Sequence, residues 1–289
     1  MPHFRKIARK LYREAYSIGL ELVSFFDRRL RENSDLEWLF ILTMPNSGST
    51  ALGKLLMTSR SSVSLSEACE GEWLVPSASN PRKRWKDDYR FSMRRLRARW
   101  LRRLSNSTQT GRKLVIEKSP ANMVRIDEIR SALFPMESYV AILVRNPYAT
   151  CESWHRRYGR ENLADTSMPG LQGVSDELEY FRILGEYWIR RWKYLSAQRD
   201  KAVAFIRYED LVADPAAALS DLIRRIPMLS DVDFGASVSV KDYGAQTLRN
   251  MNKQQISSLS DEQISAISAG LQPYRNEIEA IGYELMEQR

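Results

Sequence analysis

The stretch that decides the fold is Trp38-Leu39-Phe40-Ile41-Leu42-Thr43-Met44-Pro45-Asn46-Ser47-Gly48-Ser49-Thr50-Ala51-Leu52-Gly53-Lys54-Leu55-Leu56. Residues 38–44 are a near-continuous apolar run, short enough for a buried parallel strand. Residues 45–49 are turn formers, each breaking the pattern for its own backbone reason. From Thr50 onward, Leu52, Leu55 and Leu56 recur at helical spacing. A strand that ends in a small-residue turn and opens a helix aims free N–H groups and the helix dipole at one point. An anion, most often a phosphate, is the expected occupant.

The rest of the 289-residue chain bounds what that anion can be. The length fits one large domain or one and a half. Apolar residues make up 43% of the chain, enough for a substantial core. The net charge of +8 favours anionic ligands, acidic polymers or anionic surfaces. Two cysteines (Cys69, Cys151) and two histidines (His3, His155) are too few for a disulfide framework or a Cys/His metal centre. No run reaches the length of a membrane span, and the N-terminus lacks the pattern of a secretory signal, so a cytoplasmic protein is expected. Residues 4–31, within an N-terminal segment 1–33, read as a basic amphipathic helix, packed on its own domain or serving peripheral membrane contact or self-association.

Further strands are expected over 61–66, 113–117, 138–144 and 202–206, with helices between them. A helical stripe from Trp85 to Leu104 is surrounded by arginines. Without a nucleic-acid motif, that stripe reads as a solvated helix face rather than a nucleic-acid site. Residues 159–173 read as a polar loop of lid length, residues 175–197 as a long helix, and the C-terminal third as helices and loops. Alternating strands and helices predict an α/β fold: a parallel sheet with helices on both faces, its ligand site at the carboxyl ends of the strands. The polar residues placed there are Asn46 to Thr50, Glu67, Lys118 and Ser119, Arg145, and Arg207 and Tyr208.

Two phosphate loops compete for the opening stretch. Gly48, Gly53 and Lys54 match most of the triphosphate loop G-x-x-x-x-G-K-[ST], which would make a Mg²⁺-dependent kinase. Position 55 is leucine, however, so the hydroxyl for Mg²⁺ is missing, and Gly53 and Lys54 fall inside the helix. The segment Met44-Pro45-Asn46-Ser47-Gly48-Ser49-Thr50 instead resembles the 5′-phosphosulfate loop of PAPS-dependent sulfotransferases, written P-[KR]-S-G-T-[ST]. Arg145 through Ser153 resembles that family's 3′-phosphate segment, an Arg after a strand and a Ser eight positions later. Arg207-Tyr208-Glu209-Asp210-Leu211 resembles its R-Y-E-D-L segment, whose Tyr lies near the adenine. Glu117-Lys118-Ser119-Pro120 resembles the E-K-[ST]-P segment of its glycan-modifying members. The four segments span about residues 36–215.

The resemblance implies a P-loop-like sulfotransferase domain over 34–289 that moves a sulfuryl group from PAPS to a hydroxyl or amine, a glycan among the candidates, with no metal required. It implies that Asn46, Ser47, Gly48, Ser49, Thr50, Arg145, Ser153 and Tyr208 bind the nucleotide. It implies a catalytic set of Glu67, Lys118 and Asn46. No histidine stands about sixty residues after the loop, where small-molecule sulfotransferases carry their base. The pattern is closer to the glycan and protein-tyrosine members, whose base is a glutamate about twenty residues past the loop. Glu67 sits there, with Glu70 and Glu72 as competitors. Asn46 departs from the usual Lys or Arg. Either Lys118 supplies the missing charge, or Lys54 reaches back, or the protein binds nucleotide or acidic glycan without efficient transfer.

Overall fold

The computed structural model describes residues 35–80, 83–86, 88–105, 113–166, 170–240 and 243–286. The helix expected over 4–31 lies outside them. The opening stretch forms β1 (Leu36–Thr43), buried along its whole length. Its side chains alternate between two cores, as a strand's period of two requires. Trp38, Phe40 and Leu42 enter one, and Leu39 and Ile41 the other. A strand with two apolar faces must lie mid-sheet, and β1 does. The five-stranded sheet runs β2 (Ser62–Ser64), β3 (Lys113–Glu117), β1, β4 (Ser138–Val144), β5 (Ala204–Arg207). Every pairing is parallel. Trp38 stands opposite Val115 on one side and Ser138 on the other.

Helices cover both faces. After β1 comes α1 (Ser49–Leu56), and before β3 comes α2 (Met93–Ser105). The indole of Trp100 stacks on Trp38 at 5.3 Å between centroids and seats α2 on the sheet. The helix starts at Met93, not near Trp85 as its stripe predicts. Trp85 is held outside it by the guanidiniums of Arg84 and Arg191, 5.1 and 4.1 Å from its ring. Several arginines of α2 act as struts. Arg97 donates to Ala132 O and Phe134 O, Arg99 to Leu74 O, and Arg103 to Leu65 O.

Then follow α3 (Ile126–Leu133), α4 (Pro147–Thr166) and α5 (Glu177–Ser196). The loop expected to begin at 159 is a correction. Gly159 (φ 68°, ψ 164°) breaks the helical backbone only locally, and the helix resumes to Thr166. After β5 come α6 (Tyr208–Ala213), α7 (Pro215–Ala218) and α8 (Ser220–Arg225). The C-terminal third holds an antiparallel hairpin, β6 (Val238–Val240) and β7 (Tyr243–Gln246), where only helix and loop were expected. It ends in α9 (Asn252–Ile256), α10 (Asp261–Leu271) and α11 (Arg275–Glu279). Helix α10 lies against α5 so closely that a Cβ on Gly185 would stand 2.5 Å from Ile267 O, and one on Gly270 would meet Arg182 O. Among the described residues no helix is long and apolar enough to cross a membrane.

Candidate active site

The carboxyl ends of β1, β3, β4 and β5 open on one edge, and Asn46, Ser49, Thr50, Lys118, Arg145 and Tyr208, which follow these strands, meet there, whereas Ser119 and Arg207 stand off the lining. The former line a cavity of about 710 Å³. Among the described residues its cationic side chains are Lys118, Arg145, Arg156, Arg157 and Arg249, against the single carboxylate of Glu70. A recess with this balance concentrates polyanions.

The turn after β1 forms one wall. Asn46 (φ 64°) and Gly48 (φ 92°) both take the left-handed conformation, which bends the chain into a concave run ahead of α1. Asparagine tolerates that region at low cost. Gly48 is required for a second reason: a Cβ there would stand 2.5 Å from Cδ2 of Tyr208. The Trp154 indole donates to Pro45 O at 2.8 Å and ties the turn to α4. Asn46, Gly48, Ser49 and Thr50 line the cavity, whereas Ser47 does not. The Ser47 side chain is fully buried, and its Oγ lacks a hydrogen-bond partner.

Arg145 and Ser153 stand across from the turn, Arg145 at the end of β4 and Ser153 two turns into the next helix. The Arg145 guanidinium donates from Nε to Asn252 Oδ1 at 2.8 Å, from Nη1 to Asn46 O at 2.9 Å, and from Nη2 to Gln255 Oε1. It stacks on the Tyr208 ring, 4.3 Å from the centroid. An arginine carries five N–H groups, so two remain for a ligand. Burial lowers its pKa from the ordinary value, opposed by Tyr208 and Glu209. Glu209 in turn accepts from Asn146 N at 2.9 Å, Asn252 Nδ2 at 2.6 Å and the Tyr283 hydroxyl at 2.8 Å. The Tyr208 hydroxyl donates to Arg249 O at 2.8 Å and so fixes the segment that carries Arg249.

Lys118 follows β3 and is only 2% exposed. Its Nζ donates to Thr50 Oγ1 at 2.9 Å and pairs with Glu70 Oε1, which brings a cation to the first turn of α1. Beside it, Glu117 is fully buried. Its carboxylate accepts from Gly71 N (2.6 Å), Ser119 N (2.8 Å) and Asn122 Nδ2 (3.0 Å), and so locks the turn carrying Glu70 to the turn carrying Lys118. Burial pushes the Glu117 carboxyl up to about 7 against those donors.

Glu67 is not brought to the cavity. Its side chain is 93% exposed and pairs with Lys54 Nζ at 3.3 Å. The chain turns at Cys69, whose φ is 56° and whose carbonyl accepts from Lys118 N at 2.8 Å. That turn sends Glu67 outward and Glu70 inward. Glu72 is buried elsewhere, paired with Arg84 at 2.5 Å. Lys54 and Gly53 lie inside α1, with Lys54 committed to Glu67 and away from the cavity lining. His155 bonds the Tyr180 hydroxyl at 3.2 Å and also stands off the lining.

Asn252, Gln255, Arg249, Arg157 and Tyr158 join the site without a motif to announce them. Of these only Asn252, which reaches the site through Arg145, leaves a trace in the sequence, the polar run Asn250-Met251-Asn252-Lys253.

The model of a family described as the sulfotransferase family matches residues 39–228, more than half of the chain. Among solved structures, the chain is similar to the sulfotransferase STF1 from Mycobacterium tuberculosis H37Rv, at 16% identity and a TM-score of 0.43, covering 83% of this chain and 82% of that one. It is also similar to a sulfotransferase domain from the curacin biosynthetic pathway, at 20% identity and a TM-score of 0.36, covering 86% and 93%. No curated protein matches the chain.

Proposed function

The chain belongs to the sulfotransferase family, and from that premise we propose that it transfers a sulfuryl group from PAPS to an acceptor hydroxyl or amine, using Glu70 as base and Lys118 as the charge at the reacting centre. The observation that carries this reading is the single cavity that joins the Asn46–Thr50 turn to Arg145 and Ser153. A nucleotide phosphorylated at both ends of its ribose needs two anion sites held at a fixed separation, and these are the two.

In this reading the N–H groups at the start of α1 hold the 5′-phosphosulfate. Arg145 gives its two remaining N–H groups to the 3′-phosphate, and Ser153 adds a hydroxyl. The acceptor oxygen or nitrogen attacks sulfur. The bond from sulfur to the bridging oxygen breaks, and its electron pair stays on the 5′-phosphate. Glu70 takes the acceptor proton. Lys118 offsets the negative charge that grows on the leaving and sulfuryl oxygens. The cation usual at position 46 is then supplied from β3, and Asn46 is left to shape the turn and donate to Ser153 O at 3.4 Å. Arg249, Met251 and Gln255 complete the cavity from beyond residue 228, which favours a domain running through the C-terminal helices, as in the span 34–289.

The test is transfer of labelled sulfate from PAPS to pooled glycans, phenols, lipids and peptides, with and without chelator. The reading expects at least one labelled pool, undiminished by EDTA. Absence of label in every pool, from a folded protein that binds the nucleotide, would leave a binding protein in place of an enzyme.

A further inference from the structure

Glu70, which lines the cavity, is bonded on its far side to an exposed indole that does not. Six of the seven tryptophans are buried, whereas Trp73 is 57% exposed. A lone surface apolar residue is ordinary, but this one is fastened to the reacting centre. Its Nε1 donates to Glu70 Oε2 at 2.5 Å, and the other oxygen of that carboxylate pairs with Lys118. The Arg84 guanidinium stands 5.4 Å from the centroid of the ring and is anchored by Glu72.

The segment beneath Trp73 is rigid. Gly71 N donates to Glu117, Gly71 O accepts from Trp100 Nε1 at 3.0 Å, and Glu72 N donates to Ser119 Oγ at 3.1 Å. A Cβ on Gly71 would meet Leu65 and would stand 2.8 Å from Glu117 Oε2. The fold therefore presents an apolar plate at a fixed place beside a carboxylate, and the indole stays largely open to solvent.

We propose that Trp73 is an acceptor-binding residue: its indole carries the apolar face of a pyranose ring, and its N–H holds Glu70 against a hydroxyl on the edge of that ring. The proposal rests on the reading of Glu70 and Lys118 given above. A phenol or sterol favours an enclosed apolar slot. The Trp73 ring is instead more than half exposed, with the Arg84 guanidinium over one face and the Glu70 carboxylate at its edge, which suits a ring with C–H faces and hydroxyl edges. Amphipathic aromatic side chains serve where one side of a contact is apolar and the other wet.

The experiment titrates a panel of methyl pyranosides, with 4-nitrophenol as the phenol, into the full chain and into its Trp73→Phe and Trp73→Ala variants. Saturation-transfer NMR reads binding, with and without adenosine 3′,5′-bisphosphate. At least one pyranoside is expected to bind the parent. Trp73→Ala should weaken that binding about tenfold or more, and Trp73→Phe, which keeps a stacking ring, by no more than about threefold. Bisphosphate affinity should stay equal in all three. With the bound pyranoside as acceptor, Trp73→Phe should lower kcat and displace its pH profile while sparing acceptor KM, because only the N–H to Glu70 is lost. Equal pyranoside binding by the parent and Trp73→Ala overturns the proposal, as does binding of the phenol with no pyranoside. Failure of the parent to bind bisphosphate sinks the nucleotide reading instead, and the titrations without bisphosphate still decide the role of Trp73.

Discussion

Replacing Lys118 with methionine separates nucleotide binding from transfer. The substitution keeps most of the buried stem and removes the charge that stands between Thr50 Oγ1 and Glu70 Oε1. A unit charge about 4 Å from another is worth about 4 kcal/mol at an effective dielectric constant of about 20. Roughly half a charge developing on the leaving oxygen makes the interaction gained in the transition state about 2 kcal/mol, or about thirtyfold in rate. Losses at electrostatic stabilising groups in enzymes extend to about a thousandfold, so kcat should fall between these limits. The 3′-phosphate contacts proposed for Arg145 and Ser153 are untouched, so affinity for adenosine 3′,5′-bisphosphate should change by less than about fivefold. Initial rates with labelled PAPS and the acceptor found in the pooled assay give kcat, and calorimetry gives the affinity. Thermal melting verifies that the variant is folded. A kcat within threefold of the parent would refute the assignment of Lys118. Parallel loss of rate and bisphosphate affinity would make it a ground-state ligand.

Three further outcomes follow from the geometry. Gly48→Ala combines a positive φ with a Cβ 2.5 Å from Tyr208, and should weaken bisphosphate binding at least tenfold with a smaller effect on melting; unchanged calorimetry would contradict the packing of turn on ring. Burial raises the Glu72 carboxyl from 4.5 to about 7 despite Arg84, so its contribution is present below 4.5 and lost as pH rises through about 7. That is worth about 3 kcal/mol, and Glu117 is raised over the same range, so melting temperature should fall over this window and Glu72→Gln should remove only its own share of the fall. Gly270→Ala forces a methyl onto the Arg182 carbonyl where α10 crosses α5, and should lower the melting temperature by several degrees with bisphosphate affinity preserved.

Legibility in the sequence followed local pattern. The strands β3 and β4 stand where their apolar runs place them, because each run is bounded by polar or Pro-containing turns that end it. The turn 45–49 is read from residue chemistry alone, and the structure gives Asn46 and Gly48 the left-handed backbone such residues permit. The hairpin Val238–Val240 and Tyr243–Gln246 escapes, since strands of three and four residues carry almost no periodicity. The difference between Glu67 and Glu70 escapes for another reason. Three acidic residues crowd one short stretch, and a left-handed Cys69, which nothing in the sequence signals, decides which of them faces inward. The partners of Arg145 were hidden by distance, with Asn252 and Gln255 more than a hundred residues away along the chain.

On the proposed reading, one cavity holds a nucleotide carrying both a 3′-phosphate and a 5′-phosphosulfate. Calorimetric titration of adenosine 3′,5′-bisphosphate in EDTA, into the parent chain and into Arg145→Ala, tests it most directly. Two charge-assisted hydrogen bonds, at about 1.5 kcal/mol or more each, put the expected weakening near a hundredfold. Metal-free binding by the parent and that loss in the variant are expected. No binding by the folded parent, or equal affinity in the two proteins, would contradict it.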